Sequence, residues 1–143
     1  MDLSALNLGT SVEQINEIFK DSLIGNLHIT IDRMAEGEVC ARMPVCPQTA
    51  RPDGMLHGGS NLALAETIAG LGSMLLINMT THDVRGMQVS ASHTGSLREG
   101  TAYASAKIIH RGNRTHVWNV DVKNSDGRLI SSARVTNIIV KKK

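Results

Sequence analysis

The chain has 143 residues, 41% of them hydrophobic and 20% charged, enough for one domain with a real core and too few for two. The net charge is +2, part of it in the terminal Lys141-Lys142-Lys143, and Phe19, Tyr103 and Trp118 are the only aromatic residues. These totals exclude the basic footprint and the base-stacking platform of a nucleic-acid binder.

The opening "MDLSALNLGTSVEQ" places no basic segment before an apolar run, so it is not a secretory signal and a cytoplasmic protein is expected. Ser11 stands three residues before Gln14, the spacing of a capping box, and Val12, Ile15, Ile18 and Phe19 recur at helical intervals. A first helix over 11–22 follows. "NLHITIDRM" alternates Leu27, Ile29 and Ile31 with polar neighbours, "EGEVCARMPV" resumes strand character, and Glu36-Gly37 supplies the turn of a hairpin. "CPQTARPDG" concentrates two of the three prolines with a glycine and must be irregular. Cys40 and Cys46 show neither CxxC spacing nor a neighbouring histidine pair of zinc-site spacing, so both are expected as reduced thiols and no metal site is expected.

A helix opens near His57. The apolar run from Leu62 to Met79 approaches membrane-spanning length, but Glu66, Asn78 and two glycines interrupt it, which favours a buried helix and no membrane partner. Four strands follow at roughly 85–94, 100–110, 114–124 and 128–140, bounded by turn residues in "REG", "RGN" and "SDG". Trp118, Val120 and Val122 alternate with Val117, Asn119 and Asp121, marking a strand with one buried face. The order is helix, two strands, long helix, four strands, without repeats. It predicts a single α+β domain over 1–143 in which an antiparallel sheet with short turns between consecutive strands curves over one helix.

Within that helix Glu66 is the lone charged side chain of "MLHGGSNLALAETIAGLGSML". At about 100° per residue its face carries Gly59, Leu62, Ala63, Ala69, Gly70 and Ser73, while Leu64, Ile68, Leu71 and Leu75 line the opposite side. The second set is a stripe that a sheet can cover. The first is built largely of small residues, placing the carboxylate in a narrow, weakly polar slot suited to acid–base or nucleophilic work. Gly58-Gly59 at the helix start leaves backbone N–H donors open to the oxygen of a polarised carbonyl. Each feature also has an ordinary structural reading: Glu66 on an exposed helix face, a tight turn at the glycines, a capping role for His57. Nine residues of helix turn the chain by about 900° and advance it by roughly 13 Å, so His57 and Glu66 of one chain cannot meet on one small substrate. A twofold dimer can bring the His-Gly-Gly of one subunit to the carboxylate of the other, which predicts a composite site.

"GMLHGGSNLALAETIAG" resembles the core of the hotdog-fold acyl-CoA thioesterases, in the PaaI-like branch that includes the 1,4-dihydroxy-2-naphthoyl-CoA and 4-hydroxybenzoyl-CoA thioesterases. The similarity continues through "SASHTGSLREG", "HRGNRTHVW" and "DGRLISSARVT" and covers nearly everything after residue 10. The resemblance implies a hotdog fold, an antiparallel sheet wrapped around a long central helix. It implies Glu66 as the catalytic carboxylate, acting as nucleophile or general base, the Gly58 N–H polarising the thioester carbonyl, and His57 positioning it. It implies CoA held by Gly86, by His93, Thr94, Gly95 and Ser96, and by His110, Arg111, Gly112, Asn113, Arg114 and Thr115, with Arg114 a phosphate contact. No cofactor is implied, CoA being part of the substrate, and the family suggests a homotetramer built as a dimer of dimers.

Two positions depart from the pattern. Relatives carry Gln six residues before the motif histidine where Arg51 stands here, with Gln48 three residues further upstream. Gly70 stands where many relatives place Ser or Thr, four residues after the glutamate, so both Arg51 and Gly70 bear on substrate handling. The expected activity is hydrolysis of an aromatic or medium-chain acyl-CoA. A noncatalytic acyl-CoA binding module is an alternative. Hydration or dehydration of an acyl thioester is a further one, and the absence of an "HxxP" segment counts against it.

Overall fold

In the computed structural model, which describes residues 2–143, Ser11 caps helix α1, Val12–Phe19. Its Oγ accepts from the Gln14 N–H at 3.1 Å, and Gln14 Oε1 accepts from the Ser11 N–H at 2.8 Å, completing the expected box. The helix is shorter than 11–22 because Ser22 intervenes. Its hydroxyl donates to Phe19 O at 2.6 Å and accepts from Ile24 N–H at 3.2 Å, starting a separate turn α2, Leu23–Asn26. His28, at φ 56°, then bends the chain through the left-handed region, so β1 begins at Thr30 and not at Leu27. β1, Thr30–Ala35, pairs with β2, Glu38–Pro44, around Glu36-Gly37 as expected, with Gly37 at φ 77°.

After an irregular loop comes α3, Gly58–Met74, followed by β3, His82–His93, β4, Thr101–Arg111, β5, Thr115–Lys123, and β6, Leu129–Lys141. All pairings are antiparallel, in the order β1-β2-β4-β5-β6-β3. This is the sheet-on-helix architecture the sequence predicts. One connection differs: "REG" does not join neighbouring strands. β3 emerges from the end of α3 onto the far edge beside β6, and residues 94–100 return across the sheet to start β4 beside β2. That segment is held by Thr94 N–H on Ile130 O at 2.9 Å, Leu97 O accepting from Leu56 N–H at 2.8 Å, and Gly100 O accepting from Val45 N–H at 2.9 Å.

The stripe Leu64, Ile68, Leu71 and Leu75 is buried, sharing its core with Met43, Trp118, Val120 and Val135. Each such side chain contributes roughly 1.5–3 kcal/mol by leaving water. The helix lies close on the sheet because Gly72 faces the Trp118 indole: a Cβ there would stand 2.4 Å from the ring. Ala69 and Ser73, placed by periodicity on the face of Glu66, are buried as well. They sit on the flank of that face where β6 overlaps the helix.

Candidate active site

Three segments converge on the start of α3. Thr49, buried in the preceding loop, donates from Oγ1 to Pro44 O at 2.7 Å, while its own carbonyl accepts from His57 N–H at 2.9 Å and Ser60 Oγ at 2.8 Å. The irregular loop is thereby tied to the first helical turn. His57 is the N-cap: Nδ1 accepts from the Gly59 N–H at 2.8 Å. The capping reading of His57 therefore holds, and it fixes the tautomer, leaving the proton on Nε2 free to donate. As the first residue of the helix, Gly58 has no intrahelical partner for its N–H. Its open side faces the ring of His93, whose Nε2 would stand 2.7 Å from a Cβ at Gly58, and His93 Nδ1 is paired with Ser131 Oγ at 3.0 Å.

Two turns along the helix, Glu66 is exposed in the single chain. The narrow slot expected around it is in fact a wider cavity of about 440 Å³. Leu71 and Met74 of α3, Val84 of β3, and Ile18, Phe19 and Ile24 of the N-terminal helices give it apolar walls, with Glu66, Gly70, Gly86 and Asn137 along the helix-sheet seam. Gly86 explains how the carboxylate reaches the sheet: a Cβ there would stand 3.1 Å from Glu66 Oε1. The β3–β6 register shifts between Gly86 and Gln88, so Met87 is a bulge. The extra residue reverses the alternation, letting Val84 and Gly86 before it, and Val89 and Ala91 after it, all face α3.

Under the seam lies a buried polar cluster. Ser73 Oγ accepts from Trp118 Nε1–H at 2.9 Å and from Asn137 Nδ2–H at 3.0 Å, and lies 2.9 Å from His116 Nδ1. With both lone pairs taken, the hydroxyl proton goes to His116, which is therefore neutral with its proton on Nε2. Burial, then the charges of Arg111 and His110, push the His116 pKa below its ordinary value.

The candidate CoA residues fall into groups at opposite ends of α3. His93, Thr94, Gly95 and Ser96 lie near its start, where Thr94 Oγ1 donates to Leu129 O at 3.0 Å. His110, Arg111, Gly112, Asn113, Arg114 and Thr115 surround the β4–β5 turn at its far end, where Arg111 donates to Leu76 O at 3.3 Å and pairs with Glu36 at 2.9 Å. Gly86 stands between them. A 17-residue helix is about 25 Å long, so within one chain the two groups stand far apart. Arg51 is exposed and paired with Asp53 at 2.8 Å, Gln48 is exposed, and a Cβ at Gly70 would meet nothing within 4 Å. A second hollow of about 530 Å³, lined by Asp32, Cys40, Tyr103 and Lys107 among others, contains none of the candidate residues. The sequence pattern did not point to Asn137 or to Ile24 as lining this cavity, and the helical periodicity that includes Ile18 and Phe19 gave no sign that they face α3.

Residues 53–131, more than half of the chain, match the model of the thioesterase superfamily. The chain belongs to that superfamily. This superfamily member is similar in structure to a mutant of thioesterase PA1618 from Pseudomonas aeruginosa, at a TM-score of 0.90 and 34% identity, covering 94% of this chain and 96% of that one. It is also similar to thioesterase HI1161 from Haemophilus influenzae, at a TM-score of 0.89 and 32% identity, covering 95% of each chain. In sequence it is 32% identical over 130 residues to the 1,4-dihydroxy-2-naphthoyl-CoA hydrolase of Escherichia coli, covering 91% of this chain and 95% of that one. The thioesterase thus has the hotdog fold of the PaaI-like branch and is a thioester hydrolase.

Proposed function

We propose that the protein hydrolyses an acyl-CoA with an aromatic or medium-length acyl group at a site shared between two subunits. The observation that carries this reading is the apolar cavity beside a lone helical carboxylate. It can take an acyl group while Glu66 faces the thioester carbonyl. Glu66 acts as nucleophile or general base, the Gly58 N–H of the other subunit stabilises the oxyanion, and the His57 Nε2–H of that subunit orients the thioester.

Two observations support the dimer. β3 is a twelve-residue edge strand, longer than most and largely exposed, a surface that soluble proteins seldom leave uncovered. The separation of the candidate CoA residues to opposite ends of α3 has the same remedy, since an antiparallel copy across β3 brings the start of one helix toward the end of the other. Covering by that copy also withdraws Glu66 from bulk water. Further pairing of dimers gives the tetramer.

The test is release of free thiol from a panel of aromatic and aliphatic acyl-CoAs. Activity abolished in Glu66→Ala supports the reading. Full activity in Glu66→Ala, or binding of the panel without thiol release by the wild type, contradicts it.

A further inference from the structure

Asn137 of β6 is the directly paired neighbour of Gly86 across the antiparallel ladder. Opposed residues in such a pair stand about 5 Å apart and point to the same face. On that face the missing side chain of Gly86 leaves the space in which Glu66 Oε1 sits, 3.1 Å from where a Cβ would be. The Asn137 carboxamide and the Glu66 carboxylate are therefore neighbours, and both line the same cavity.

The orientation of the carboxamide is set by its surroundings. Nδ2 donates to Ala69 O at 3.1 Å and to Ser73 Oγ at 3.0 Å; a carbonyl can only accept, so the nitrogen must face the helix. Both N–H donors are thereby used. Among the described residues Oδ1 has no hydrogen-bond partner, and Asn137, 1% exposed, lines the cavity. The amide oxygen is not sealed off as a buried orphan but open to the cavity, where it can accept a hydrogen bond from water.

We infer that Asn137 Oδ1 holds the attacking water for Glu66, which makes the glutamate a general base. The inference rests on the thioesterase reading above and selects one of its two mechanisms. Water in an apolar cavity has two hydrogens to place. One goes to Glu66 Oε1 and the other to Asn137 Oδ1, leaving an oxygen lone pair for the carbonyl carbon. As the new C–O bond forms, Glu66 takes the first proton. The tetrahedral intermediate then collapses, the C–S bond breaks with its electron pair on sulfur, and the thiolate takes that proton from Glu66, giving acid and thiol. Gly70 bears on the same geometry: it lies one turn from Glu66 with open space at its Cβ, so a serine there would put a hydroxyl into the cavity without crowding.

The test uses the full chain with benzoyl-CoA and hexanoyl-CoA as substrates and hexyl-CoA, a thioether, as the non-hydrolysable probe. Asn137→Ala lowers kcat by about 10- to 100-fold while the Kd for hexyl-CoA changes by less than about threefold. Adding Gly70→Ser to that variant recovers about tenfold in kcat, because the new hydroxyl accepts from the same water. A structural role cannot be rescued in this way, since a side chain at position 70 does not replace the bonds to Ala69 and Ser73. Unchanged kcat in Asn137→Ala overturns the inference, as does a loss shared by kcat and probe binding or a folded double variant without recovery. Should Asn137→Ala fail to fold, one turnover of the wild type in ¹⁸O-water decides. Label in the first product acid with no acyl adduct on Glu66 in the acid-quenched protein is expected; absence of label from that acid, or an acylated Glu66, overturns the inference. These outcomes stand apart from the wider reading, which fails only if Glu66→Ala remains active or the wild type releases no thiol.

Discussion

A methyl group on Gly86 would stand 3.1 Å from the Glu66 carboxylate, so the edge strand and the central helix meet at the one charged residue of that helix segment. Gly86→Ala is allowed by the extended backbone but displaces Oε1 by a few tenths of an ångström or more. We expect kcat/KM to fall by about 10- to 100-fold with little change in thermal stability, measured by thiol release alongside a melting curve.

Gly72 meets the sheet differently, since a Cβ would stand 2.4 Å from the buried Trp118 ring. Helix propensity alone favours Gly72→Ala by about 1 kcal/mol. The collision reverses that sign, because neither the indole nor the helix has room to move. A net loss of about 1–3 kcal/mol in urea denaturation is expected.

At Gly70 the same substitution meets nothing, so Gly70→Ala adds up to about 1 kcal/mol of stability. Gly70→Leu instead projects into the cavity proposed for the acyl group. Its preference among straight-chain acyl-CoAs moves toward shorter chains than the wild type accepts, as comparison of kcat/KM across a chain-length series would read out.

The ring of His116 gives the fold a pH dependence of definite sign. Burial and the neighbouring Arg111 and His110 lower its pKa in the folded state, while the unfolded chain keeps the ordinary value near 6.5. The unfolded state therefore binds the proton first. The stability that comes from the neutral ring is fully present above about pH 6.5 and is lost as pH falls through the folded value. Urea midpoints between pH 7 and pH 5 should fall less steeply in His116→Gln. Ser73→Ala, which leaves buried donors on Trp118 and Asn137 without an acceptor, costs about 1–3 kcal/mol at pH 7.

Much of this architecture was legible from local chemistry. The Ser11–Gln14 box, the Glu36-Gly37 turn, the α3 stripe and the four later strands depend on residues near one another in sequence, and periodicity reports them. What periodicity does not report is pairing between distant strands. Nothing in "REG" distinguishes a hairpin from a crossing, so the placement of β3 beside β6, and with it the Gly86–Asn137 pair, emerges only in three dimensions. The same limit applies to Ser73, which angular position assigned to the face of Glu66 and which strands β5 and β6 cover. His57 was legible as a candidate, but that its Nδ1 is taken up by capping and its Nε2 is left free depends on the 2.8 Å bond to Gly59.

The division of the site between subunits is tested most directly by mixing two crippled variants. Glu66→Ala keeps an intact His57-Gly58 segment, and His57→Ala keeps an intact carboxylate. If each site draws one element from each subunit, a heterodimer of the two carries one complete site. Random reassembly makes half of the dimers mixed, so the mixture should recover about a quarter of wild-type thiol release although each variant alone is inactive. A mixture that forms heterodimers, as native mass spectrometry can verify, yet stays as inactive as its components would contradict the shared site.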